Sequence, residues 1–251
     1  MYQTYIKKSV RHRARQAGFK RIDTPVFEDR RIFERGIGEH TDIVEKELFI
    51  VSGPNRGGDE EKEKSDKQFA LRPEFTAGIC RAYVEAGMQQ LPQPVQLYAF
   101  GTCFRHDRPQ KGRYRQFHQF DFEIIGLRDA SLDAQLIHVA SKIFEDLKIR
   151  DRLTLQINNI GSPDNRKAYV EALKDYFIGK ERSLSDQDKS RLKSNPLRLL
   201  DSKEEDTQIL IKGAPKLEQF ISDESKEYHE TLLEYLDELE IAYVQNTGLV
   251  R

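Results

Sequence analysis

Residues 104–126, FRHDRPQKGRYRQFHQFDFEIIG, hold the densest set of side chains able to do chemistry. Arg105, Arg108, Lys111, Arg113 and Arg115 are opposed only by Asp107, and Gln119, Asp121 and Glu123 then occupy every second position. Side chains two apart on a strand share a face, so a strand over 115–125 sets Phe117, Gln119, Asp121, Glu123 and Ile125 on one side. Phe120, Phe122 and Ile124 fall on the other and read as core. Were the polar face the floor of a cleft, Gln119 and Glu123 would stand roughly 13 Å apart, at about 3.3 Å per residue. That spacing suits the two ends of a small polar ligand better than an acid–base pair. A face open to solvent would also carry carboxylates, and a charged hairpin is commonly a solvated turn. Arg105, however, directly follows the run YAFGTCF, where a strand ends. A guanidinium leaving a sheet needs a partner, and a carboxylate or phosphate fits its planar fork through two oxygens. Cations at one end and carboxylates at the other suit a phosphate compound beside a cationic amine.

The elements that must position these residues follow from local pattern. Residues 2–17 read as a polar, basic helix stopped by Gly18, and FKRIDTPVFED as an extended segment broken by Pro25. RRIFERGI reads as a helical turn, ELFIVS as a strand and 53–67 as a solvated loop. In QFALRPEFTAGICRAYVEAGM a strand end leads into a helix: Pro73 suits the first turn, Phe75, Ile79 and Tyr83 recur at helical spacing, and Gly87 closes it. Strands follow at 95–104 and 115–125 around the basic loop. A helix over 133–148 and a strand in LTLQINNIG come next. From about 163 to 240 long charged helical stretches replace strands, and IAYVQNTGLVR returns to strand character. The sum is an α+β fold around an antiparallel sheet flanked by helices. The expected boundaries are a core at 1–162, a helical insertion at 163–240, and a return to the core at 241–251.

Composition narrows the function classes. A net charge of −1 excludes a polycation, so any anion binding is local. Two cysteines, Cys80 and Cys103, make neither a disulfide framework nor a four-cysteine metal site, and they fit a reducing cytoplasm. His106 and His118 flank the loop and suit hydrogen bonding better than ligation, so no metal held by protein side chains alone is expected. No run approaches the roughly 18 apolar residues of a membrane span, and the N-terminus lacks the apolar core of an export signal. The chain is expected to be soluble.

The 104–126 segment resembles motif 2 of the class II aminoacyl-tRNA synthetases, in particular the histidyl-tRNA synthetases. LRPEFTAG (71–78) is similar to that family's L-R-P-E-x-T-A histidine-binding segment, and GFKRIDTPVFEDRRIFERGIGEHTDIVEKELF to its motif 1 region, with a proline at the dimer interface. NPLRLLDSK and GAPKLEQFISDES resemble its helical insertion. LVR, at 249–251, matches the start of its second histidine motif. The resemblance implies ATP-dependent activation of L-histidine, with ATP bound as its Mg2+ complex and no permanent prosthetic group, then transfer to tRNA(His) by a cytoplasmic homodimer. Carried over by position, Arg105 and Arg251 face the α-phosphate as the catalytic pair. Arg113 reaches the terminal phosphate, Phe117 stacks on adenine and Asp107 contacts the adenosine. Glu74, Thr76 and Gln119 hold the α-ammonium group, the backbone at Phe75 lies beside the amino acid, and Glu123 accepts from the imidazole.

Departures from the pattern accompany the match. Asp107 stands where the family has Glu, and Phe75 where Gly is common. Motif 3 and the anticodon-binding domain are not among the 251 residues, so the chain reads as a truncated core with little activity alone. The insertion's basic stretch, Lys189, Arg191, Lys193 and Arg198, offers phosphate contacts, or is a solvated helix face. Two rival readings keep the chain but drop the catalysis. One is a synthetase-like regulatory subunit of ATP phosphoribosyltransferase in histidine biosynthesis; the other is an RNA-binding module built on the basic hairpin.

Overall fold

A computed structural model describes residues 2–37, 41, 43–51, 68–108 and 110–249. The expected loop at 53–67 and Arg251 lie outside these residues. The chain divides into two compact units, 1–128 and 129–251.

The first unit opens with helix α1 (Tyr2–Gln16), which carries Arg13 and Arg15 in its last turn, where cations complement the helix dipole. Gly18, at φ +85°, ends it in a conformation that glycine adopts without strain. Strand β1 (Lys20–Arg21), strand β2 (Phe27–Asp29), helix α2 (Arg30–Ile37) and strand β3 (Ile50–Val51) follow. Strand β4 (Phe69–Leu71), helix α3 (Thr76–Glu85) and the long strands β5 (Val95–Phe104) and β6 (Gln116–Ile125) complete the unit. β5 and β6 pair antiparallel along their whole length, from Val95↔Ile125 to Phe104↔Gln116, and β1 adds to β5 in parallel. β2, β4 and β3 form a separate antiparallel sheet. The α+β class stands, with a mixed sheet where an antiparallel one was expected. RRIFERGI proves to be a full helix, α2, and ELFIVS shortens to the two residues of β3.

The core of this unit corrects the sequence reading of β6. Phe75, Ile79, Val95, Leu97, Ala99 and Cys103 are buried together, and Phe117 and Ile125 pack against them. The polar face of β6 is therefore also the face that meets α3, apolar at both ends and polar between. Phe120, Phe122 and Ile124 are only half-buried. Phe122 meets Phe19 edge-on and Tyr98 in a stack, and Lys7 of α1 lies over Phe100. α1 and the turn after it meet that face through Gln3, Lys7 and Phe19.

In the second unit Asp129 caps helix α4 (Ala130–Asp146) by accepting from the Ser131 N–H. Strand β7 (Leu155–Ile157) leads to helix α5 (Pro163–Phe177), which starts with a Ser162–Asn165 capping box and Pro163 in its first turn. Helices α6 (Asp186–Ser194), α7 (Glu205–Ile211) and α8 (Asp223–Glu238) and strand β8 (Tyr243–Gln245) follow. β7 and β8 pair in parallel, Leu155↔Tyr243 to Ile157↔Gln245, which brings both ends of the intervening helical segment to one place. Ala130 and Ala134 of α4 pack against Leu232 and Leu236 of α8.

Candidate active site on the β5–β6 face

Gly101 of β5 lies opposite Gln119 of β6, Ala99 opposite Asp121, and Leu97 opposite Glu123. The small residues of β5 thus leave the polar side chains of β6 room on the α3 side. Gly101 has a specific reason to be glycine. A Cβ there would sit 2.8 Å from Nη2 of Arg72 and 3.3 Å from the Phe75 ring. Arg72 is buried, lies 4.3 Å over the Phe75 ring, and donates from Nε to the Thr102 carbonyl at 2.8 Å and from Nη1 to the Thr24 carbonyl at 2.7 Å. A buried guanidinium is tolerable when hydrogen-bonded in this way. It fixes the turn Pro73–Glu74 against the sheet.

That turn delivers Glu74 and Thr76. Both carboxylate oxygens of Glu74 accept from the start of α3, from the Thr76 N–H at 2.5 Å and the Ala77 N–H at 3.0 Å. Glu74 therefore caps a helix while standing within electrostatic reach of Asp121. Thr76 is exposed; the Phe75 side chain is core, so only its backbone is available to a ligand. Arg105 donates from Nε to the Pro73 carbonyl at 3.0 Å, and its guanidinium carbon lies 5.3 Å from the Phe117 ring centre. Among the described residues Arg105 makes no ion pair. Arg72 and Arg105 both act on the buried thiol of Cys103, which burial pushes up to about 11 against their lowering effect.

Sequence reasoning left Asp121 without a role, although its alternation with Gln119 and Glu123 was the available signal. Burial first, then the charges of Glu123 and Glu74, push its carboxyl up to about 7, and it shares a hydrogen bond with Glu123. Its Oδ2 is buried and finds no donor among the described residues. Cys80, a turn along α3 from Thr76, is raised by burial and by Glu123, Glu74 and Asp121, so these groups face one region. Arg72 was likewise missed as a positioning residue, because its fit depends on Gly101, 29 positions away.

The basic loop is ordered around its own acid. Asp107 accepts from Arg113 Nη1 at 3.0 Å and from the Arg108 N–H at 2.7 Å, and Gly112 turns the chain at φ +85°. Arg113 is 61% exposed, so a ligand could draw it from Asp107 at a cost of about 1 kcal/mol or less. His118 lies on the opposite face, near Gln3 and Thr102, and the His106 ring meets Phe49 edge-on. Among the described residues no cluster of His, Cys, Asp or Glu has the arrangement to hold a metal ion. A cavity of about 410 Å³ in the second unit is lined mainly by apolar residues such as Ile137, Phe144 and Leu155 and by no carboxylate. Its chemistry does not match the polar face of β6. Among the described residues no helix is long and apolar enough to cross a membrane.

The chain belongs to the class II aminoacyl-tRNA synthetases: residues 59–247 match the tRNA synthetase class II core domain (G, H, P, S and T). Among its curated relatives are histidine–tRNA ligases. It is 43% identical over 250 residues to the histidine–tRNA ligase of Dehalococcoides mccartyi, a match that covers all of this chain and 57% of the relative. The structure is similar to apo S. aureus histidyl-tRNA synthetase, with a TM-score of 0.73, 32% identity, and coverage of 99% of this chain and 53% of that one. An ATP phosphoribosyltransferase regulatory subunit/histidyl-tRNA synthetase from Bacillus halodurans shares the fold, with a TM-score of 0.62 at 20% identity over 99% of this chain and 64% of that one. The chain spans a little over half the length of the curated relatives it matches.

Proposed function

We propose that this chain carries the histidine-activating half of a histidine–tRNA ligase, with the amino acid on the polar face of β6 and ATP at its Arg105 end. The observation that carries the reading is the convergence of Glu74, Asp121 and Glu123 on one region, with Arg72 and Arg105 bordering it, in a chain of this family. The reaction is attack of the histidine carboxylate on the α-phosphorus of ATP, with pyrophosphate leaving. It needs alignment and neutralisation of spreading negative charge more than covalent help. Arg105 is the cation for the α-phosphate: Phe117 and the Pro73 carbonyl fix its guanidinium, and its Nη groups make no hydrogen bond among the described residues. Phe117 offers its ring to adenine, Asp107 contacts the adenosine, and Arg113 turns from Asp107 to the terminal phosphate. Arg251 is assigned the opposite side of the α-phosphate by position in the sequence alone. Gln119, Glu74 and Thr76 take the α-ammonium group, and Glu123 takes an imidazole N–H. A pocket built to pair that N–H discriminates strongly against apolar amino acids of similar size, because they leave its acceptor unpaired. ATP enters as its Mg2+ complex, and the second substrate is tRNA(His).

The same reading extends to assembly. Phe27, Val51 and Phe69 lie on one face of the β2–β4–β3 sheet and are exposed, with Phe27 and Phe69 in edge-to-face contact. An apolar sheet face of this kind suits a second copy of the chain, so we assign the homodimer contact here. Residues 163–240 are read as an insertion between β7 and β8, which pair across its ends. Its basic stretch is a poor tRNA contact, because Arg191 pairs with Asp188 and Lys189 with Asp186. The cytoplasm is the assigned compartment.

Histidine-dependent ATP–pyrophosphate exchange tests the function in the intact protein carrying these residues. Exchange is expected in the parent protein and its loss in a folded Arg105→Ala variant, where removal of one transition-state contact costs about 2–4 kcal/mol. Near-normal exchange by that variant would overturn the role of Arg105. No exchange in the parent protein would favour the regulatory reading, which the retained Arg105, Gln119 and Glu123 oppose.

A further inference from the structure

Asp121 is the one acid on the polar face with no role in the substrate contacts above, and its surroundings are unusual. It is flanked on β6 by Gln119 and Glu123, lies opposite Ala99, and has Oδ2 buried with no donor among the described residues. The charged and titratable groups facing it are Glu123 on its own strand, Glu74 from the turn before α3, Cys80 from α3 and Cys103 from β5. Among the described residues Arg72 and Arg105 act on Cys103, while the charged groups that move Asp121 are the carboxylates of Glu123 and Glu74. Two carboxylates held together without a cation between them keep a proton.

We propose, resting on the histidine reading of the pocket, that Asp121 couples amino-acid capture to proton release: before binding, its O–H donates to Glu123, and on binding a histidine N–H takes that place. The Asp121 O–H bond breaks, its electron pair stays on the carboxylate, and the proton passes to solvent base. The ionised Asp121 then adds a negative charge to a pocket holding the α-ammonium group, where an unpaired carboxyl would otherwise remain. Asp121 is thus a positioning residue for Glu123: it keeps that carboxylate turned inward before histidine arrives and reinforces cation binding afterwards. Its carboxyl, raised to about 7, places the coupling near neutral pH.

The test is calorimetric titration of L-histidine into the intact protein at pH 7 in buffers of different ionisation enthalpy, for the parent protein and Asp121→Asn. The imidazole of free histidine contributes equally to both. The parent protein is expected to release about half a proton more per histidine than the variant, as a group half-protonated at that pH requires. An infrared difference spectrum of the parent protein, independent of any substitution, is expected to lose a protonated-carboxyl band when histidine is added. Equal release by the two proteins, or an unchanged carboxyl band on a histidine-saturated sample, overturns the coupling and leaves the pocket assignment standing. Absence of histidine binding by the parent protein overturns the pocket assignment, and the coupling with it.

Discussion

Asp188 in the second unit and Asp121 in the first are both withdrawn from water, yet the chain surrounds them in opposite ways. Asp188 is fully buried and accepts from Ser202 Oγ at 2.5 Å, Thr207 Oγ1 at 2.8 Å and Arg191 Nη1 at 2.9 Å. Burial pushes its carboxyl up, but these donors outweigh burial and hold it below the ordinary carboxylate range. Asp121 meets two more carboxyls, its own Oδ2 is buried with no donor among the described residues, and it is driven up to about 7. The first arrangement ties α6 to the turn Pro196–Asp201 and to α7. The second leaves hydrogen-bonding capacity open where a ligand can use it. A satisfied buried carboxylate marks architecture; an unsatisfied one, beside others of its kind on a strand facing a helix, marks a site.

Breaking the satisfied network should have the largest effect. Asp188→Ala strands the hydroxyls of Ser202 and Thr207 and the charge of Arg191, and is expected to cost about 3–5 kcal/mol in urea unfolding of the second unit. The pH dependence has a definite sign. Because the folded carboxyl lies below its ordinary value, Asp188 stabilises the fold above about pH 4, the unfolded carboxylate range, and this contribution fades as pH falls through the lower folded value. A loss in Asp188→Ala no larger than that of a surface substitution would remove the contrast.

A smaller effect is expected at Gly101, where the site face depends on space. In Gly101→Ala the new methyl meets Nη2 of Arg72, whose guanidinium is fixed by two carbonyls, so it cannot swing aside freely. Overpacking of this kind costs about 1–3 kcal/mol. It should also loosen the Pro73–Glu74 turn, which thermal unfolding together with histidine affinity would detect.

Asp121→Asn should act on pH-dependent stability with the opposite sign. A carboxyl raised from its unfolded value to about 7 favours the fold below pH 4, and this contribution is lost as pH rises towards 7. The variant is therefore expected to match the parent protein near pH 4 and to be the more stable of the two at pH 8. A stability difference that is the same at both pH values would contradict a raised Asp121 carboxyl and remove the contrast with Asp188.

Much of the site was legible because its signals are local. Alternation along 115–125 placed Gln119, Asp121 and Glu123 together, and the dense loop cations marked a hairpin, which the register of β5 with β6 bears out. The side on which the core lies was not legible. Phe120 and Phe122 have core composition, but α1 covers them incompletely, while α3 packs against the apolar ends of the polar face. The parallel addition of β1 to β5 and the seating of Arg72 over Gly101 were hidden for a similar reason: each joins segments far apart in the chain. Long charged runs in 163–240 announced helices α5 to α8, yet nothing in them marked Asp188 as the buried centre. Its neighbours Ser202 and Thr207 are ordinary polar residues until the fold closes on them.

Histidine affinity of Glu123→Ala, measured by calorimetry in the intact protein carrying these residues, tests the central claim most directly. The substitution removes the acceptor assigned to the imidazole and is expected to weaken binding by on the order of 30- to 100-fold, equivalent to about 2–3 kcal/mol, while ATP affinity is kept. An unchanged histidine affinity in the folded variant would contradict the assignment of the β6 face as the amino-acid site.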